Sequence, residues 1–332
     1  MFTKRLYLWK INKVKILVSV LDWGLGHASR TSEIVSRELA AGNEILLAGS
    51  GNSFELLKKD HPQLKTVELK SFSPWFFRYL PQWLAISIQV PKFLYYIHRE
   101  KNDTERIVKE EHIEKIISDN RYGVRSASCE SILITHQTYP ITTSWAPQII
   151  NTIFAKALSK WINKFDKIWI PDIAPYPNGL SGKLSNCKYI TVPTLTIGVL
   201  SRMNLTTRQA GHNHIEKLAI ISGPEPQRSI FEKDMTKAFS NTPGKCMIIR
   251  GIPKGLSKVQ QQQHNIEFVD HCDAQQLRNA IDNSTDIYCR SGYSTIMDLW
   301  ALNKRASLNA TKGQAEQEYL EKRMEKFGFK KN

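Results

Sequence analysis

The chain has 332 residues, 41% hydrophobic and 23% charged, with a net charge of +15. That length exceeds what one ordinary core serves, so two domains are expected, and the composition excludes wholesale disorder. The basic excess fits phosphorylated substrates or an anionic membrane surface; no zinc-finger spacing, basic zipper or RNP-like strand supports nucleic acid as a partner.

Cys129, Cys187, Cys246, Cys272 and Cys289 form no C-x-x-C pair. This argues against a disulfide framework or a structural zinc and for a reducing, cytoplasmic setting. Met1 to Asn12 is basic but lacks a long apolar stretch and a cleavage site, and reads as a tail. Lys15 to Val20 is a β-branched apolar run that predicts a buried strand. The turn Asp22-Trp23-Gly24-Leu25-Gly26-His27 follows. Then comes a helical pattern from Ala28 to Ala41, with Ile34, Val35 and Leu39 on its apolar face, ended by Gly42-Asn43. Glu44 to Ala48 completes a βαβ unit. A helix over Phe54 to Asp60 and strands over Lys65 to Leu69, Ile113 to Ser118, Ser131 to Thr135 and Lys167 to Ile170 extend it. Their polar ends, Asp119-Asn120-Arg121, His136-Gln137 and Pro171-Asp172, lie where α/β folds place ligands.

Weak periodicity from Pro193 to Arg208, through Gly198, marks a domain boundary. A second series follows, with strands over Lys217 to Ile221, Cys246 to Arg250, Glu267 to Val269 and Asp286 to Cys289. A helix is expected over Ala274 to Asp282, and another opens at Arg290-Ser291-Gly292 and runs through Leu302.

A strand leading through a glycine turn into a helix can hold a phosphate, because backbone N–H groups and the positive helix end face the anion. Such turns occur at Gly24 to His27, Ser222 to Gln227 and Arg290 to Thr295. Their matching places in two α/β halves imply a ligand between facing sheets. The first turn has Ser29 where a dinucleotide fingerprint needs its third glycine, which disfavours a nicotinamide dehydrogenase.

The segment Cys289-Arg290-Ser291-Gly292-Tyr293-Ser294-Thr295-Ile296-Met297-Asp298, with Gly313-Gln314-Ala315-Glu316-Gln317-Glu318 downstream, resembles glycosyltransferase family 28. The likeness runs from about Lys13 to Phe329, and Asp22 to Arg30 is more similar to a bacterial and archaeal branch of that family. It implies an α/β chain of two facing Rossmann-like domains in the GT-B glycosyltransferase architecture. Residues 13–197 would form the acceptor domain and 198–332 the nucleotide-sugar donor domain. It also implies that Asp298 holds the donor ribose, that Ser222-Gly223 faces the donor, and that Gln314, Gln317 and Glu318 contact sugar hydroxyls. The chain departs from the pattern at Asp298, where Glu is usual, at Glu318, in place of Gln, and at Asn309-Ala310. Little chain follows Phe329, so the closing helix that crosses back to the first domain is expected to be short.

Sugar transfer from a nucleotide diphosphate needs a base, charge stabilisation for the leaving group, and orientation. His27 is the candidate base, since a helix start favours neutral imidazole; the other reading is a capping histidine. Backbone at Ser222-Gly223 and Ser291-Gly292, the Ser291 and Ser294 hydroxyls beside Tyr293, and the cations Arg228 and Arg290 are candidates for the diphosphate. Gly24, Gly26, Asn120, Arg121, His136 and Asp172 are candidates for the acceptor side. No D-x-D motif is present, so metal-free inverting displacement is expected, with no cofactor beyond the donor substrate. The expected partners are a UDP-sugar and a glycan or lipid-linked acceptor. The aromatic segment Phe72 to Tyr96 is either a helical part of the core or an interfacial pair on the cytoplasmic face of a membrane. A nucleotide-sugar 2-epimerase and a non-catalytic nucleotide-sugar binder are the alternatives.

Overall fold

The computed structural model describes residues 13–72, 82–142, 148–209, 214–223, 225–252 and 265–332. Two wholly parallel sheets organise them. The first contains β1 (Lys15–Ser19), β2 (Glu44–Gly49), β3 (Lys65–Glu68), β4 (Lys115–Asp119), β5 (Glu130–Ile134), β6 (Lys167–Ile170) and β7 (Thr194–Thr196), in the order β3-β2-β1-β4-β5-β6-β7. The second contains β8 (Ile215–Ile220), β9 (Cys246–Ile249), β10 (Ile266–Val269), β11 (Ser284–Cys289), β12 (Ser307–Leu308) and β13 (Lys330–Lys331), in the order β10-β9-β8-β11-β12-β13. The helices are α1 (Leu25–Ala40), α2 (Gly51–Asp60), α3 (Gln82–Glu111), α4 (Gln148–Ile162), α5 (Gln227–Phe239), α6 (Ala274–Asp282), α7 (Tyr293–Ala301) and α8 (Ala315–Met324).

Parallel strands covered on both faces need continuous apolar runs, and β1 meets that need. Its Ile16 and Val18 pack with Ile34, Val35 and Leu47, while Leu17 packs on the opposite face with Ile107, Val108 and Ile116. Strand order reverses between β1 and β4, and again between β8 and β11. Crevices at such reversals, beyond the carboxyl ends of the strands, are where open α/β sheets bind ligands. The three glycine turns leave β1, β8 and β11 at these two points.

Thr194 to Thr196 forms an edge strand of the first sheet, although its sequence lacks strand periodicity. An edge strand buries little, so its residues need not alternate. Of the aromatic segment, residues 73–81 lie outside the described residues, Phe72 is buried ahead of them, and residues 82–96 enter α3, which contains Pro91. Among the described residues, no helix is long and apolar enough to cross a membrane.

The two sheets share a joint. Leu180 and Leu184, from the loop after β6, are buried in one cluster with Leu218 and Ile287 of the second sheet and Leu299 and Leu320 of the helices packed on it. Arg323 on α8 donates to the carbonyls of Leu180 (2.9 Å), Pro177 (2.7 Å) and Gly179. The Tyr319 hydroxyl accepts from Lys183 N at 2.8 Å. Gly182 lies between them at φ +52°, where a Cβ would overlap both side chains. Ser201, in the crossing segment after β7, donates its hydroxyl to Asp298 on α7. Burial pushes the Asp298 carboxyl up to about 6, and the Ser201 hydrogen bond and nearby Arg202 only partly oppose it.

Two outcomes follow from the joint. Arg323→Ala strips three carbonyls of a charged donor and is expected to cost about 1–3 kcal/mol, read as a lower calorimetric midpoint. Asp298 has a folded pKa above its unfolded value. Its contribution to stability is therefore full below about pH 4 and is lost as pH rises through about 6. Denaturant unfolding of Asp298→Asn against wild type should show the variant gaining relative stability between about pH 4 and 6, with the gap levelling above that range.

Candidate active site

β1 delivers the chain to Gly24, whose φ of +140° suits glycine, and α1 begins at the next residue. A helix start leaves its first N–H groups without intrahelical partners. Across the joint, α7 starts beyond Gly292. The two starts meet so closely that a Cβ on Gly26 would overlap Ser294 Cβ and Oγ. Two positive helix ends thus face one crevice, an arrangement that favours an anion there.

His27 lies in the first turn of α1, with Nδ1 2.9 Å from Asp119 Oδ2 at the end of β4. Arg30, one turn on, directs Nε to both Asp119 oxygens at 3.0 Å, and its Nη2 bonds Oδ1. Thr31 Oγ1 donates to Oδ2 at 3.1 Å. Burial alone would raise the Asp119 carboxyl, but Arg30 and His27 outweigh it and hold the group well below the usual carboxylate range. Nδ1 lies between the Asp119 carboxylate and the donor Nη2 of Arg30, 2.7 Å away, and the tautomer that gives Nδ1–H to Asp119 leaves Nε2 unprotonated. Nε2 of His27 is then the proton acceptor. Burial, then Arg30, push the His27 pKa below 6.5, against an opposing pull from Asp119.

His136, just past β5, completes the group from the first domain. Its ring stacks on Tyr293 of α7 at 4.1 Å between centroids and 8° between planes. Its Nε2 lies 3.1 Å from Glu316 Oε1 on α8, and its Nδ1 3.5 Å from Arg30 Nη1. The Tyr293 hydroxyl donates to Pro171 O at 2.8 Å. Burial would raise Glu316, but His136, and more weakly Arg30 and His27, hold it below its ordinary value.

The remaining sequence candidates are placed as follows. Asn120 sits at φ +52°, a conformation Asn tolerates, with Oδ1 buried and without a hydrogen-bond partner. Asp172 spends its carboxylate on Ile173 N (2.7 Å), Ser181 N (2.9 Å) and Leu180 N, and so shapes a loop. Buried Arg121 pairs with Glu100 at 3.0 Å and donates to Leu69 O. Arg290 stacks on Phe231 at 4.3 Å and donates to Gln227 O, Asn309 Oδ1 and Ala310 O. Arg228 is tied to Glu225, Glu232 and Arg250 O. Ser222 is half-buried and Gly223 exposed, at φ +104°, beyond β8.

Ser291 Oγ donates to Gln317 O at 2.8 Å, joining the third glycine turn to the start of α8. Gln317 Oε1 accepts from Thr311 N and Glu318 Oε1 from Gly313 N, each at 2.8 Å. Gln314 Oε1 is buried without a partner. Asp298 has the Ser201 hydroxyl on one oxygen.

Arg30 and Glu316 join this site without being sequence candidates, and Asp119 joins it from a polar strand end. Asp119 ends the run Asp119-Asn120-Arg121, and as the last strand residue it points into the crevice. Arg30 stands three residues after His27, a spacing that shares a helix face.

Neither a family model nor a curated protein matches the chain. Solved structures do. The glycotransferase of kitacinnamycin superposes with a TM-score of 0.66 at 11% identity, over 96% of this chain and 85% of that one. An Arabidopsis thaliana protein complexed with UDP-L-rhamnose gives 0.60 at 11% identity, over 94% and 82%. MurG of Acinetobacter baumannii gives 0.55 at 10% identity, over 96% and 85%. With its two facing parallel sheets, the chain has the GT-B glycosyltransferase fold.

Proposed function

We propose that this chain is a glycosyltransferase moving a hexose or N-acetylhexosamine from a nucleotide-diphosphate donor to a glycan or lipid-linked acceptor. The observation that carries this reading is the His27–Asp119 pair, set in the first turn of α1 and facing the start of α7. In the proposed reaction, His27 Nε2 takes the acceptor hydroxyl proton. The oxygen attacks the anomeric carbon from the face opposite the diphosphate, which leaves with the bonding pair, so configuration inverts. Asp119 stabilises the imidazolium that forms.

The leaving diphosphate meets the N–H groups at the start of α7 and the Ser294 hydroxyl. Arg290 and Arg228 serve as braces of the surrounding loops, in keeping with their protein partners. The Gln314 carbonyl oxygen, the Gln317 amide nitrogen and the second Glu318 oxygen are offered to sugar hydroxyls. Asp298 takes the ribose if its hydroxyls replace Ser201. A UDP donor is favoured by the neighbour complexed with UDP-L-rhamnose, and a family 28 origin by the Cys289 to Asp298 pattern. Metal-free transfer rests on the helix ends and the missing D-x-D motif.

Trp23 precedes His27 on the same turn, half-exposed, with its indole N–H held by Phe72 O at 2.8 Å. It offers the acceptor an apolar face. Ile88, Val90, Leu94 and Tyr95 on α3 and Ile149 and Ile153 on α4 are exposed, with Lys156 and Lys160 also on α4. This supports a peripheral membrane contact for a lipid-linked acceptor.

Titration calorimetry with UDP, UDP-sugars and GDP-sugars, followed by mass-spectrometric turnover, tests the reading. UDP-sugar binding with transfer or slow hydrolysis that survives EDTA is expected. Binding without any turnover would instead indicate a binding protein. His27→Ala should lower kcat by about 10²–10⁴. His27 must be neutral to accept a proton, so the acid limb of the rate profile should fall below pH 6.5. Liposome flotation at low salt should retain the protein on anionic vesicles; recovery wholly in the unbound fraction would remove the membrane contact.

A further inference from the structure

We propose that Arg30 is the positioning residue for His27, acting through the carboxylate they share. The inference rests on the reading of His27 as the base. Arg30 is 1% exposed and lies one turn from His27 on the same face of α1. Its guanidinium covers one side of Asp119, with Nε equidistant at 3.0 Å from the two oxygens. Nη2, a donor, also comes within 2.7 Å of His27 Nδ1, which sets positive charge against the ring and adds no hydrogen bond to an Nδ1–H. Thr31 bonds the carboxylate as well, so Asp119 cannot rotate away from the imidazole without giving up these bonds.

The charge matters as much as the geometry. A buried carboxylate paired with a histidine alone would raise its pKa and leave the ring protonated, unable to accept. Arg30 places a permanent positive charge against the same ring and takes up part of the Asp119 charge. The groups facing His27 are Arg30 from α1, Asp119 from β4 and His136 after β5; Glu316 from α8 joins through His136. Buried Tyr122 lies within electrostatic range of Arg30 and Asp119. Burial and Arg30 together outweigh Asp119 and hold His27 neutral. Asp119 thus orients the base without protonating it before the acceptor arrives.

The test titrates His27 by NMR in protein labelled at histidine, with its resonance assigned through His27→Ala, beside the pH dependence of kcat. In Arg30→Gln the His27 midpoint should rise by about one pH unit or more. Turnover should fall severalfold near pH 6.5, approach a tenfold deficit well below the wild-type midpoint, and recover by pH 8.5. Arg30→Lys keeps the charge but loses the fork; its midpoint should stay near wild type while kcat falls and KM changes little. An unmoved midpoint in Arg30→Gln, or a loss of rate equal at every pH, overturns the proposal. If Arg30→Gln does not fold, wild-type kcat in Arg30→Lys overturns it instead. The NMR readout does not depend on turnover. A raised midpoint together with full turnover in His27→Ala supports Arg30's hold on His27 and overturns only the base reading.

Discussion

Asp119 ends a central strand where no bulk water reaches it, and a buried carboxylate left without partners would cost several kcal/mol or lose its charge. The partners come from one helix: His27, Arg30 and Thr31 all lie within the first two turns of α1. This requirement fixes where α1 starts and which face it turns to the sheet. It also explains why residues 28–35 of α1 are buried throughout, polar ones included. A helix with one apolar stripe covers a sheet; one buried all round must also pack against something else. Here the further contacts are α2, the turn at Arg202–Leu205 and α7 of the other domain.

The second half is braced from within. Ser291 holds the start of α8 through Gln317 O, and Gln317 and Glu318 hold the loop before it. Arg290 ties the start of α5 to the loop at Asn309-Ala310 and stacks on Phe231. A cation so engaged keeps the glycine turn rigid and, in the proposed reaction, leaves the diphosphate to backbone N–H groups. Such groups need no reorganisation when a leaving group gains charge, and this is the general advantage of preorganised dipoles. The joint adds its own stiffness through Arg323, Tyr319 and the stacked His136–Tyr293 pair.

Much of the fold was legible from periodicity. Strands such as Lys167–Ile170 and the helix Ala274–Asp282, with its Asp273–Gln276 capping box, sit where their runs and caps place them. Thr194–Thr196 was not legible, because an edge strand borrows its conformation from β6. In the site, His27 was legible since a glycine turn and a helix start flank it. Arg30 was not: an arginine on the polar side of an amphipathic pattern looks like a solvated residue. Glu316 was hidden for a related reason, as its partner His136 lies 180 positions away.

Local patterning by itself determined two α/β halves, three glycine turns at strand ends, and a histidine beside the first of them. These depend on neighbours within one helical turn or one βαβ unit, so the order of residues contains them. Tertiary structure alone decided that the starts of α1 and α7 face each other. It likewise decided that Asp119 is the carboxylate beside His27, and that Arg228, Arg290 and Asp172 are committed to protein partners. Those outcomes depend on long-range closure of the two sheets around one joint, where burial turns surface-like charges into partners of each other.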